Sequence, residues 1–139
     1  MELSHEVNEG FHPVTVLHVA GRVDSSNYLK LIDKARELFS SGTEYLLLDL
    51  EACDFLSSSG LFALHSIALT AHKFTPPDPE HGWESLRKMV NEDREFKEKF
   101  KIVHVQPNIL RTLDVAGLLL SFDVYSDMQE ALEAFTLIE

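Results

Sequence analysis

A chain of 139 residues with 45% hydrophobic content carries enough apolar surface to close one core without disulfides or metals, so a single domain over residues 1–139 is expected. Its 23 acidic residues against 12 basic ones leave a formal charge of −11, which excludes a nucleic-acid backbone as partner. Cys53 is the lone cysteine, which excludes an internal disulfide; with no apolar signal core and no apolar run of spanning length, a cytoplasmic setting away from the membrane is expected.

Leu3 to Val7 and Val14 to Ala20 read as two strands joined by a turn around Asn8-Glu9-Gly10, a hairpin. Asp24 or Ser25 is placed to cap a first helix, in which Tyr28, Leu31, Ile32, Ala35, Leu38 and Phe39 recur at helical spacing until Gly42. Tyr45 to Leu50 is apolar apart from Asp49, the pattern of a strand covered on both faces and central in a sheet. Glu51 to Phe55 reads as a loop. Ser57, Ser58 and Ser59 then precede Gly60 and a helical run from Leu61 to Ala71, where so few positions are polar that the helix is either deeply buried or partly covered by a partner.

The stretch from Lys73 to about Phe100 stands apart. Thr75-Pro76-Pro77-Asp78-Pro79 cannot propagate a helix, and beyond it Trp83, Leu86, Met89, Val90, Phe96 and Phe100 are spaced for one helix or two short ones. Such a segment serves either as an amphipathic lid on the domain's own edge or as a surface for another subunit or partner. Ile102 to Val105 gives a further strand, Pro107 opens and Gly117 ends a helix, and Phe122 to Tyr125 closes the sheet. A last helix opens on Asp127 and Glu130, a capping-box-like pair, and buries Met128, Ala131, Leu132 and Phe135. The alternation is that of an α/β fold: a mixed central sheet of about five strands, helices packed on it, and a helical insertion over about residues 73–100.

Chemistry concentrates at the serines. A serine oxygen is well suited to accept from the free amides of a helix's first turn, and the same amides and macrodipole favour an anion, so a phosphoryl group there would be held by the backbone. On spacing alone a plain capping role is the better reading of the three serines. The seven histidines, His5, His12, His18, His65, His72, His81 and His104, show no H-x-x-x-H or H-E-x-x-H spacing, so no metal is expected. Neither a Walker-type glycine loop nor G-x-G-x-x-G is present, so no nucleotide cofactor and no catalytic residue is assigned, and Cys53 reads as core packing.

The stretch F-L-S-S-S-G-L resembles the F-x-D-S-S-G-L signature of the STAS domain, the anti-sigma factor antagonist family. On that match Ser58 takes the position phosphorylated by a partner kinase, and Ser59, Gly60 and Leu61 follow in register. Gly21-Arg22-Val23-Asp24 resembles the G-x-L-D element that ends the second strand beside the serine loop. Asp49-Leu50 matches the D-L closing the third strand, and Leu113 to Leu118 resembles the L-x-x-x-G-L late in the domain. One position departs: the family's aspartate before the phosphorylated serine is Ser57 here, which supplies a hydrogen bond but no charge.

The resemblance implies a non-enzymatic module that binds an anti-sigma factor with serine kinase activity, through Gly21, Asp24, Ser57, Ser58, Ser59, Gly60, Leu61 and the exposed side of the following helix. Unmodified Ser58 would permit binding and free a sigma factor; phosphorylation would reverse it. A second reading is a STAS scaffold or regulatory protein of a sensory or transporter-associated complex without a phosphoswitch, and a homodimer is left open. A third, a small enzyme or ligand-binding domain, requires a base for Ser58 from His18, His65 or Asp24.

Overall fold

In the computed structural model, the described residues are 1–10, 12–75 and 97–135. Strands β1 (Glu2–Glu9) and β2 (Pro13–Val23) form the antiparallel hairpin, paired from Glu2 opposite Ala20 to Glu9 opposite Pro13. Asn8 and Glu9, expected in the turn, extend the ladder instead. β1 is almost wholly exposed and carries Glu2, His5, Glu6 and Glu9, charge that discourages pairing by another chain at this sheet edge.

Parallel strands complete the sheet. β3 (Tyr45–Asp49) lies beside β2, β5 (Phe100–Val103) beside β3, and β6 (Val124–Tyr125) beside β5. β4 (Cys53–Leu56) pairs with the far end of β2, Gly21 to Val23, off the main path. The described residues thus give six strands rather than about five, because part of the expected Glu51–Phe55 loop is a strand. Its four residues bury Cys53 and Leu56 and expose Asp54 and Phe55, too short a pattern to read as a period.

The two faces of the sheet are filled separately, as alternation along a strand requires. Leu17, Val19, Leu46 and Leu48 pack with Leu31 and Ala35 of helix α1 (Tyr28–Ser40), Leu64 and Ile67 of α2 (Ser58–Ala71), and Ile109 and Leu113 of α3 (Pro107–Val115). Val14, Val16, Leu47 and Val103 pack on the opposite face with Ala131 of α4 (Met128–Ala134) and with Phe135. Continuous apolar runs in β2 and β3 follow from this double cover. The expected capping pair is present at α4, where the Asp127 carboxylate accepts from the Glu130 amide at 3.0 Å. Gly117, at φ +76°, turns the chain out of α3 in a conformation few residues other than glycine adopt.

Three expectations are corrected. α1 begins after Asn27, without a side-chain cap; Asp24 instead accepts from the Ser26 amide. α2 begins at Ser58, three residues before the expected start, and Gly60 to Leu69 are all buried, so it has no exposed side to offer a partner. Deep burial in the domain's own core accounts for its apolar sequence. Of the expected insertion, residues 76–96, with Trp83, Leu86, Met89, Val90 and Phe96, lie outside the described residues, whereas Phe100, expected in a helix, opens β5 and is buried in the core. At its far end the Lys99 amide donates to His72 Nε2 at 3.0 Å, tying the returning chain to the end of α2. Among the described residues no helix is long and apolar enough to cross a membrane.

Candidate functional site

β4 delivers the serines to the end of β2. Leu56 pairs with Val23, and the Ser57 amide donates to the Val23 carbonyl at 2.9 Å, so the residue before the helix is clamped to the sheet. Ser57 is extended, and its Oγ accepts from the Gly60 amide at 3.3 Å while its carbonyl accepts from the Leu61 amide at 3.0 Å. It is therefore the N-cap of α2. The position where the family places aspartate is structurally a capping position, and serine keeps the cap while giving up the charge. Ser57→Ala is expected to lose about 1 kcal/mol of stability. Ser57→Asp should match or exceed the parent by up to about 1 kcal/mol, from the favourable charge at the helix start. Equal unfolding midpoints for the alanine and aspartate variants would refute the capping role.

Ser58 is the exposed first residue of α2, Ser59 is half-buried, and Gly60 is buried. A Cβ at Gly60 would sit 2.5 Å from Leu56 Cδ1, 2.8 Å from Leu56 Cγ and 3.3 Å from Val23 Cγ1. Only glycine lets the first turn approach the β2–β4 pair this closely. Leu61 is 4% exposed and packs in the main core. Gly60 and Leu61 are therefore buried beneath the serine loop and shape it from below. Gly60→Ala is expected to be destabilising by about 1–2 kcal/mol, the net of overpacking and about 1 kcal/mol of regained helix propensity. A shift of the denaturant midpoint at unchanged slope measures it, and no shift would show that the packing is looser than described.

Residues 21–24 lie against the same end of the sheet. Gly21 has φ +93° and its amide donates to the Ala52 carbonyl at 2.8 Å, where β4 joins β2. The Arg22 guanidinium stands 4.5 Å over the Phe55 ring and 3.8 Å from the Asp24 carboxylate. Hydrogen bonds from the Ser26 hydroxyl and amide hold the Asp24 carboxyl below its ordinary value, so the turn carries a fixed negative charge. Phe55, the first residue of the serine motif, is 38% exposed, because β4 turns its side chain outward. Of the bases required by the small-enzyme reading, neither histidine is assembled at Ser58. His18 lies five residues before Val23, about 16 Å along the strand, and donates from Nδ1 to Asp49 at 2.7 Å. His65 is buried about two helical turns along α2, and Asp24 is occupied by Ser26 and Arg22.

Residues 4–73, half of the chain, match the family described as the STAS domain. The chain belongs to the STAS domain family. Among solved structures, this STAS domain is similar to an anti-sigma factor antagonist from Mycobacterium paratuberculosis, with a TM-score of 0.65 at 21% identity over 97% of this chain and 95% of that one. RsbS of Moorella thermoacetica, carrying a serine-to-glutamate change, superposes with a TM-score of 0.61 at 13% identity, covering 99% and 97%. The anti-sigma factor antagonist SpoIIAA in its unphosphorylated form gives 0.60 at 12% identity, covering 98% and 99%. At these identities the likeness is one of fold. A search of curated protein sequences found no match. The remaining STAS-like elements take ordered places: Asp49 closes β3, while Leu113 and Leu118 are buried on either side of the Gly117 turn.

Proposed function

We propose that this STAS domain is an anti-sigma factor antagonist-like module in the cytoplasm, that it binds an anti-sigma factor with serine kinase activity, and that phosphorylation of Ser58 controls the binding. The observation that carries this reading is the contrast within α2: Ser58 is exposed at the start of a helix whose next turns are wholly buried. In the phosphoryl transfer, the Ser58 oxygen loses its proton and takes the terminal phosphoryl group of ATP held by the partner, and ADP departs. This chain supplies only the acceptor. A phosphate adds about −1.5 to −2 charges beside the Asp24 turn. The first-turn amides of α2 and its macrodipole would hold it in place. Ser58, Asp24, Arg22 and Phe55 then form a docking surface whose sign and shape change together. Incubating the purified chain with candidate kinase partners and ATP, then mapping the modified residue, tests the reading; phosphate confined to another residue would contradict it.

A scaffold role draws on a different observation. Val115 and Leu120 are each 82% exposed and Leu110 is 38% exposed, on α3 and the 3-10 turn (Leu119–Ser121) that follows it. Apolar side chains this open suit a standing contact with another protein or a second copy. Stable self-association lost in Val115→Asp and Leu120→Asp, with no response to any kinase, would favour the scaffold.

A further inference from the structure

We propose that Asp49, Glu51 and His104 form a binding site for one divalent transition-metal ion, for which Zn2+ is the appropriate probe. His104 is distant in sequence from Asp49 and Glu51, and the sheet brings it to them. Asp49 ends β3 opposite Val103 of β5, so His104, the next residue, arrives beside it, while Glu51 follows Asp49 by two positions. His104 adopts φ +60°, a left-handed conformation uncommon for a side chain of its size, with its amide donating to the Tyr125 carbonyl at 3.1 Å. This turn brings its Nδ1 to 3.0 Å from Asp49 Oδ1 and 3.8 Å from Glu51 Oε2. The three ligand atoms all lie within 4.8 Å of one another. An ion held at about 2.0–2.2 Å from nitrogen and oxygen needs its ligands roughly 3–3.5 Å apart, so little rearrangement is required.

The surroundings are those of a built site. Asp49 is buried, and its second oxygen accepts from His18 Nδ1 at 2.7 Å, leaving Oδ1 directed at His104 and Glu51. The Glu51 amide donates to Asp49 Oδ1 at 3.0 Å, and Gln106 Nε2 donates to the Glu51 carbonyl at 2.9 Å, fixing the backbone that carries the second carboxylate. Outer hydrogen bonds of this kind orient ligands and tune their affinity. His18, Asp49 and Glu51 also line a cavity of about 250 Å³, which gives solvent access to the two carboxylates. Two carboxylates balance a dication, and an imidazole nitrogen selects a transition ion over Mg2+ or Ca2+. The segment from Glu51 leads directly through β4 to Ser57, so an ion here would brace the strand that carries the serine loop.

The test uses the full chain, freed of metal with a chelator and titrated calorimetrically with Zn2+, with Mg2+ as comparison. One Zn2+ per chain is expected, with a raised unfolding temperature and no comparable response to Mg2+. Glu51→Gln alters an exposed side chain and should fold normally; it and His104→Gln should each weaken binding at least about tenfold, and His18→Gln by about 10-fold or more through Asp49. His5→Gln, on the exposed edge strand, should bind like the parent. Absence of Zn2+ binding, or binding unchanged in both Glu51→Gln and His104→Gln, would overturn the proposal.

Discussion

Ser58→Asp is expected to lose capture of the anti-sigma partner by at least about 30-fold, a change of roughly 2 kcal/mol typical of a central contact, while the fold stays intact. The second half of that expectation follows from the helix. A carboxylate in the first turn lies at the positive end of the macrodipole and is stabilising by about 0.3–1 kcal/mol, so the variant should melt no earlier than the parent. Loss of binding therefore cannot be ascribed to unfolding. Ser58→Ala should bind like the parent and resist modification, since it adds neither charge nor bulk at an exposed position. Pull-down or calorimetric titration against each candidate partner reads both variants. If the two bind every partner equally well, Ser58 is not the switch.

Asp123→Asn is expected to be destabilising by about 2–4 kcal/mol, somewhat less than a fully buried pair broken on one side because Asp123 retains partial solvent contact. Lys101, on β5, is 4% exposed, and its ammonium donates to Asp123 Oδ2 and to the Lys97 carbonyl, each at 2.8 Å. The same group lies 5.2 Å from the Phe135 ring centroid and 5.9 Å from that of Tyr125. Asparagine keeps one oxygen acceptor but removes the counter-charge, leaving a buried cation among aromatic rings and neutral carbonyls. Asp123 also accepts from the Tyr125 hydroxyl at 2.8 Å, and burial, reinforced by that carboxylate, pushes the Tyr125 phenol up to about 12. Lys101→Met removes the charge and keeps the stem, so it should lie within about 1 kcal/mol of the parent. Denaturant unfolding of both variants decides the matter. Asp123→Asn no more destabilising than Lys101→Met would mean that the pair is effectively solvated.

What the sequence made legible was whatever is carried by contiguous residues. The apolar runs of β2 and β3, the period of α1, Pro107 and Gly117 at the ends of α3, and the Asp127 cap are local signals with local causes, and each stands where it was expected. Two kinds of feature were not legible. β4 exists because residues 21–23 offer it a ladder, and no four-residue pattern announces that partner. The Asp49, His18 and His104 cluster is assembled from β2, β3 and the residue after β5, and spacing along the chain carries no trace of such a meeting. The uniform apolarity of α2 had two readings, and only the packing of Gly60 to Leu69 into the core separates them. At the serine loop, the motif singled out Ser57 to Leu61 as a unit but could not tell which residues face outward. Gly60 and Leu61 lie beneath, and Ser58 alone among these five is exposed.

The most direct measurement of the phosphoswitch is intact mass with site mapping of the protein isolated from its native cells during growth and under stress. A single phosphoryl group on Ser58, with occupancy that changes between the two conditions, is the expected result. Protein that stays unmodified at Ser58 in both conditions would contradict it and leave a constitutive STAS scaffold in its place.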